Sequence, residues 1–460
     1  MNTRYNLKCS VCNQLISIRS QVSTFVDSYI AIIYCGNCKT EIKIKITDVE
    51  VELLSNSIYS PVKSLDDSSD DEELFFIELA PDFFTTKMKK YSNIKNTTFE
   101  TPFLNTISDI KHKNYDEYMK KIMLFLVYQL DWPKIKTIND LWVNKQYEYI
   151  QKYAEEILDK WGFLKEMIKL GNENEIFEIH RYLHYVQFYY FAKILGNKMF
   201  YKNIEYIQEN IKKLITTESG IIFLDFFSSS NLLDNYENKL IDIMNDFNAI
   251  FIKIIPVFSL DYFKDLNLEN YGMTSVSFYE LISFYEKAYE NLIEVSMILI
   301  GLNNIRHRNN YDELRDTTKE TFTEFIEKDK GKGAILKEKF LGDEEFDKFI
   351  IETFDSELRN AFAHRDYHID WIEQSLTYYS KKSKTNIRIF LVDLAYMCMK
   401  IMYTVVYLNE IIYQVKRFWL LKSSPNIVKN IMNHKSKGLN DIQKFKNKQN
   451  IKNRKKKKRK

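Results

Sequence analysis

Glycine and proline are scarce in this chain, at 11 and 6 of 460 residues, which excludes a fold built from many short strands and tight turns. Cysteine is nearly absent too, with five residues. Four of the five fall in paired spacings, and that argues against a disulfide framework. No apolar segment follows the polar stretch from Met1 to Ser10, so an export signal is not expected and the reducing cytoplasm is the expected compartment. No repeat recurs across residues 115–260. What the chain does have is aromatic bulk, with 31 Tyr, 32 Phe and 5 Trp, enough to fill the cores between long helices. The expected fold class is mostly α.

The net charge of +3 conceals an asymmetry. Residues 422–460 hold 15 Lys or Arg against the single acid Asp441, whereas the rest of the chain carries 51 basic and 62 acidic side chains. The block from Arg454 to Lys460 repels itself, buries no apolar surface and attracts polyanions in a salt-dependent way. It reads either as an RNA tether or as a solvated tail. A second polar stretch, Ser55, Asn56, Ser57, Ser60 and Pro61 followed by Asp66-Asp67-Ser68-Ser69-Asp70-Asp71-Glu72-Glu73, has the composition of a solvated linker. Residues 389–413 are apolar, but Asp393, Lys400 and Glu410 interrupt them at spacings that suit one polar helix face. A buried amphipathic helix is expected there, with no membrane partner.

Cys9-Ser10-Val11-Cys12 and Cys35-Gly36-Asn37-Cys38 are two Cys-x2-Cys knuckles separated by 22 residues. Four thiolates delivered by two short turns suit a tetrahedral Zn²⁺ ion, and Gly36 lets the second turn close tightly. Thr24-Phe25-Val26 and Tyr29 to Tyr34 read as strands, and Glu41-Ile42-Lys43-Ile44-Lys45-Ile46 alternates with period two. The result is a zinc ribbon, small β structure folded around a structural metal with no open coordination position. Lys39, Lys43 and Lys45 give it a modest basic face. Cys398, alone in an apolar segment, reads as core packing.

Between about 115 and 260 apolar positions recur every three and four residues, as in successive helices, punctuated at Trp132-Pro133, Gly171-Asn172 and Ser228-Ser229-Ser230. His180 and His184 lie four apart on one helical face. No Glu of a zincin-type motif lies between them, and their Tyr and Phe neighbours favour a packed aromatic helix.

Residues 275–303 form a long amphipathic stretch. A second helix is expected from about Asp343, and a last one over 387–419. The second helix carries Glu357-Leu358-Arg359-Asn360-Ala361-Phe362-Ala363-His364-Arg365-Asp366-Tyr367. An arginine fork can hold a phosphate, and a histidine titrating near neutral pH can move protons. On an ideal helix Arg359 and His364 stand about 140° apart and roughly 7.5 Å along the axis. A helix ending near Ala363 would free His364 to turn, and the alternation in Tyr367-His368-Ile369-Asp370-Trp371 suggests a strand beginning there. His368, and the pair Arg306 and His307, read as exposed positions beside the motif or at a helix end.

This string resembles the Arg-x4-6-His signature of HEPN domains, including the polar residue directly after the arginine. The resemblance covers about residues 271–420. It implies an up-and-down helical bundle and a homodimer whose two motifs line one cleft. It also implies metal-independent RNA cleavage by 2′-OH attack to a 2′,3′-cyclic phosphate, with His364 as general base or acid, Arg359 stabilising the phosphorane and Asn360 orienting the phosphate or the histidine. By the same resemblance the chain is expected to act as a toxin or phage-defence effector on RNA, with a protein partner or antitoxin. Two other readings stay open, a non-catalytic RNA-binding or ribosome-associated module and a protein-interaction scaffold. The expected organisation is a zinc ribbon over 1–50, an acidic linker with a short ordered segment over 51–100, a helical domain over 101–270, the HEPN-like bundle over 271–420 and a basic tail over 421–460.

Overall fold

The computed structural model describes residues 2–54, 62–65, 73–91, 100–110, 112–150, 153, 157, 175–263, 267–315, 320–328, 341, 344–350 and 354–423. Most of the acidic linker, Gly171-Asn172, Gly331-Lys332-Gly333 and the basic tail beyond Ser423 lie outside the described residues. The chain is mostly helical with a small β region at its N-terminal end.

That β region begins with two hairpins. Strands β1 (Asn2–Cys9) and β2 (Leu15–Gln21) pair antiparallel, as do β3 (Ser28–Tyr34) and β4 (Glu41–Thr47). The alternation in β4 buries Ile42, Ile44 and Ile46 and leaves Glu41, Lys43 and Lys45 outside, as period two requires. β5 (Val51–Leu53) pairs with β4, completing one three-stranded sheet. β6 (Val62–Leu65), β7 (Leu74–Leu79) and β8 (Lys89–Tyr91) join β1 and β2 in a five-stranded sheet of order β6-β1-β2-β7-β8. Strand structure expected over Thr24 to Val26 is absent; these residues form a bend. Buried Asp82 explains it, accepting hydrogen bonds from the Ser23 hydroxyl at 2.7 Å and the Thr24 N–H at 2.5 Å.

Helices α1 (Pro102–Ile110), α2 (His112–Val143), α3 (Glu175–Leu195), α4 (Lys198–Ile215), α5 (Glu218–Ser229) and α6 (Leu232–Phe251) follow, and a 3₁₀ segment extends α6 to Tyr262. The three serines end α5 as expected, but Pro133 sits inside α2 instead of ending it. Trp132, Ile135, Ile138 and Trp142 on that helix are all buried. Each such side chain contributes about 1.5–3 kcal/mol, which outweighs the roughly 3 kcal/mol cost of an interior proline.

The amphipathic stretch from 275 divides at Ser296 into α7 (Phe278–Val295) and α8 (Met297–Arg308), with a capping box of Ser277 and Glu280 starting α7. A short α9 (Phe322–Lys328) comes next. The second helix expected from Asp343 is much shorter than that. Residues 344–350 form turns and a 3₁₀ segment, and α10 runs only over Ser356–His364 because Asp355 caps it, accepting from the Leu358 N–H at 3.0 Å. After it β9 (Tyr367–Asp370), β10 (Ser375–Ser380) and β11 (Thr385–Phe390) form an antiparallel meander. The last helix, α11, therefore starts at Leu391 rather than 387 and runs to Ser423.

α11 is the axis of the helical body and packs against α3, α4, α5, α6 and α7. Both it and Leu232–Tyr262 are long and apolar enough to cross a membrane, and 72% of the apolar window of each is buried inside the protein. Glu410 does not lie on a solvated face, as its spacing suggested, but is 1% exposed. Its carboxylate accepts from His184 Nε2 at 2.8 Å, Gln208 Nε2 at 2.9 Å and Gln414 Nε2 at 2.7 Å. One turn and a half further on, Lys416 bonds Asp234 at 2.6 Å and also Glu237, and Glu237 meets His180 Nε2 at 3.0 Å. His180 stacks on Trp142 and His184 on Tyr413, with ring centroids 5.4 and 3.7 Å apart. The pair is thus a packed aromatic element, with the Nε2 of each ring on its own carboxylate.

Burial alone would raise the Glu237 carboxyl, but Lys416 and His180 outweigh it and hold it at about 2. Burial pushes His180 below its ordinary 6.5, against the pull of Glu237. Both groups therefore take up a proton more readily unfolded than folded. Their stabilisation is full above 6.5, begins to fall as His180 titrates in the unfolded chain, and falls further below 4.5 with Glu237. Glu410→Ala leaves buried Gln414 and half-buried His184 and Gln208 without the carboxylate they share and is expected to cost about 3–5 kcal/mol, read from urea denaturation midpoints at neutral pH. A change under about 1 kcal/mol would show that the network is not holding the helices together.

Candidate functional site

The two cysteine knuckles are built alike. In the first, the Cys9 N–H donates to the Gln14 carbonyl and the Asn13 N–H to the Cys9 carbonyl; in the second, Cys35 pairs in the same way with Thr40 and Lys39. Asn13 and Lys39 both adopt left-handed backbone, with φ 63° and 62°. The strained position is thus Lys39, not Gly36. Gly36 is needed for a different reason, since a Cβ there would lie 2.4 Å from the Phe75 ring.

The hairpin ends bring four free thiols together, with Cys9 and Cys38 sulfurs 3.6 Å apart, Cys12 and Cys35 3.5 Å apart, and all four within 4.8 Å. Four sulfurs at about 2.3 Å from a tetrahedral ion stand roughly 3.8 Å from one another, so the cluster is positioned to bind a metal. This is consistent with a zinc ribbon. Without the ion the thiols are uneven. Burial raises Cys9 and pushes Cys35 up to about 12, whereas at Cys38 the Thr40 hydroxyl and N–H and the neighbouring sulfurs overcome burial and bring it down to about 6. The basic face expected on the ribbon is largely neutralised, because Lys43 pairs with Glu41 at 2.9 Å and Lys45 with Glu52 at 3.5 Å.

The ribbon is fastened to the helical body near Tyr34, the residue before Cys35. The Ile32 N–H donates to the Thr274 carbonyl at 2.6 Å, and Tyr34 stacks on Trp371 with centroids 4.3 Å apart. Gln374 clamps the same junction, accepting from the Met273 N–H and donating to its carbonyl at 2.9 and 3.0 Å.

The arginine-histidine signature occupies α10. Leu358, Ala361 and Phe362 are buried and anchor the helix, with Phe362 set edge-on to Tyr285 of α7 at 5.6 Å. Glu357 ties it to the meander, accepting from the Ser380 hydroxyl at 2.6 Å and the Lys382 N–H at 2.7 Å. The opposite side carries Arg359, Asn360, Ala363 and His364. His364 is exposed and makes no side-chain hydrogen bond among the described residues. The helix ends after His364, not before it, because Arg365 takes left-handed backbone at φ 57° and the Asp366 and Arg365 N–H groups close on the Ala361 and Phe362 carbonyls. Arg359 and His364 thus keep the 140° or so of an ideal helix, with Asn360 between them about 40° from the histidine. Asn360 spans part of that gap by accepting from Arg359 Nη1 at 3.0 Å.

One partner escaped the sequence reading. Arg359 Nε donates to Glu290 Oε1 at 2.6 Å, and Nη2 closes on the same oxygen. Glu290 and Glu286 stand four apart on α7, the only local signal that they share a face. Burial raises the Glu286 carboxyl, Arg359 opposes that rise, and Glu290 adds to it. His368 is exposed on β9. Arg306 and His307 are exposed at the end of α8, with Arg306 paired to Glu345 at 2.9 Å. Cys398 is buried in α11, its thiol raised by burial.

Comparison with models of known protein families, with curated proteins and with solved structures finds no match for this chain.

The cysteine cluster predicts about one bound metal ion per chain by elemental analysis. Cys12→Ser is expected to lose it and to open the β1–β2 and β3–β4 hairpin ends to hydrogen exchange. A metal-free protein purified without chelators, with hairpins protected to the same degree, would contradict the site.

Proposed function

We propose that the chain is a metal-independent endoribonuclease of HEPN type. In this reading residues 271–420 are the catalytic bundle and Zn²⁺ fills the four-cysteine ribbon as a structural ion. The observation that carries it is the division of labour on α10. Three apolar residues anchor the helix, while Arg359, Asn360 and His364 stay on its accessible side with no part in the core.

The Glu290 carboxylate in the fork of Arg359 marks where phosphate oxygens would sit, since carboxylate and phosphate present similar acceptors to a guanidinium. RNA binding then means exchanging one anion for another. The 2′-oxygen attacks the adjacent phosphorus as its proton passes to one His364. The bond to the 5′-oxygen breaks and that oxygen takes a proton from a second histidine, leaving a 2′,3′-cyclic phosphate and a 5′-hydroxyl. Arg359 stabilises the charge on the phosphorane, and Asn360 orients the phosphate or the ring. Base and acid call for two imidazoles, which two copies of the chain supply across one cleft. The setting is the cytoplasm, and the biological role a toxin or defence effector restrained by a protein partner.

A second reading, RNA binding without cleavage, draws on the angular separation of Arg359 and His364 and on the lack of any described partner that orients the histidine. Total RNA incubated with the protein in EDTA separates the two. Wild type is expected to cleave, and His364→Ala to be slower by roughly 10²–10⁴-fold, the usual worth of a general acid or base. Equal cleavage by both proteins would remove His364 from the chemistry, and salt-dependent binding with no cleavage would favour the second reading.

A further inference from the structure

We propose that Tyr279, Trp371 and Tyr34 form a stacking platform for an unpaired base of the RNA strand whose phosphate is held at Arg359; this rests on the RNA-directed reading of α10. The three rings come from three distant parts of the chain. Tyr34 ends β3 beside the metal ligand Cys35, Trp371 follows β9, and Tyr279 opens α7. Tyr34 stacks on Trp371, at 4.3 Å and 27°, and Tyr279 leans on Trp371 at 5.5 Å with its ring tilted by 52°. Phe278, the neighbour of Tyr279, points inward and is 2% exposed, closing the cluster from below at 6.3 Å from Trp371.

Tyr279 itself is 56% exposed. A large aromatic ring supported on one side by another ring and open on the other is the arrangement on which nucleic-acid bases stack irrespective of sequence. Continuity with the α10 residues points to RNA rather than another occupant. Tyr279, Ser283, Glu286 and Glu290 succeed one another at i, i+4, i+7 and i+11 along one ridge of α7. Ser283 and Glu290 on this ridge are exposed. The ridge begins at the platform and ends at the carboxylate in the fork of Arg359. Burial raises the Tyr367 phenol, Tyr279 and Glu286 add to that rise, and Arg365 opposes it.

The span from Tyr279 to Glu290 is roughly 16 Å at 1.5 Å per residue. The stacked base therefore belongs to a nucleotide flanking the one whose phosphate lies at Arg359. Stacking needs a base free of its partner strand, so the substrate class is single-stranded RNA or an unpaired loop, not duplex. The ribbon gains a role in this arrangement. The turn that carries Cys35 fixes the position of Tyr34, and Tyr34 fixes Trp371.

The test uses the full chain with His364→Ala, so that the strand stays intact, and measures binding of a fluorescent single-stranded RNA by anisotropy. Adding Tyr279→Ala is expected to weaken binding roughly tenfold, as the loss of one base stack does. Tyr279→Phe should restore binding, and an RNA with an abasic residue at the stacked position should bind both proteins alike. Tyr279 is exposed, and an unchanged melting temperature confirms that the variant is folded. Equal binding of intact RNA by the Tyr279→Ala and parent proteins, or a Tyr279→Ala penalty as large on the abasic strand as on the intact one, would overturn the platform while leaving cleavage at His364 standing. Absence of RNA binding by the parent protein would instead overturn the RNA-directed reading itself.

Discussion

Everything in the helical body depends on how α11 is satisfied. It is 33 residues long and buried almost all round, and it carries Asn409, Glu410, Gln414 and Lys416 into that interior. An unpaired carboxylate or ammonium there would cost several kcal/mol. The acceptors and donors that prevent this come from α3, α4 and α6, through His184, His180, Gln208, Asp234 and Glu237. An apolar helix can slide or rotate against its neighbours at modest cost, but one carrying these charges has a single register in which every partner is in reach. The two histidines act within this scheme as hydrogen-bonding and stacking elements, which accounts for their spacing without invoking a metal ion.

A framework locked in this way lets short elements be held accurately. α10 has nine residues, too few to be stable alone, yet it is fixed by Phe362 against Tyr285, by Asp355 at its start and by Glu357 on the meander. The accessible side chains Arg359, Asn360 and His364 inherit that precision only in part. The arginine is held by Glu290 and Asn360, whereas the histidine has no described partner. The ribbon is locked to the same body where Tyr34, the residue before Cys35, stacks on Trp371.

Local chemistry was legible in the sequence where it needed few distant partners. The four cysteines were, since two Cys-x2-Cys knuckles admit few other geometries. So were the alternation of Glu41 to Ile46 and the burial of the aromatic helix around His180. What escaped was set from afar. Thr24 bends because Asp82, 58 residues on, captures its N–H. Residues 387–390 looked helical because they run into an apolar helix, but Ile387 and Ile389 pair with Tyr378 and Leu376 in β10. Glu410 resembled a solvated position since its donors lie as far as 226 residues away. At α10 the motif was plain from the sequence, whereas the carboxylate opposite Arg359 lies 69 residues upstream. Asn2 to Cys9 read as polar, and its strand became visible only through the partners β2 and β6 on either side.

The chemistry proposed for α10 stands on the ribose 2′-hydroxyl as nucleophile. The most direct measurement is cleavage, in EDTA, of a synthetic RNA carrying 2′-deoxyribose at the mapped cut position, with the ends of the products identified by mass. If the 2′-oxygen attacks, the all-ribose strand is cut to a 2′,3′-cyclic phosphate and a 5′-hydroxyl, and the substituted strand survives at that position. Continued cutting at the deoxyribose, or products ending in a simple 3′-hydroxyl and 5′-phosphate, would contradict the assignment.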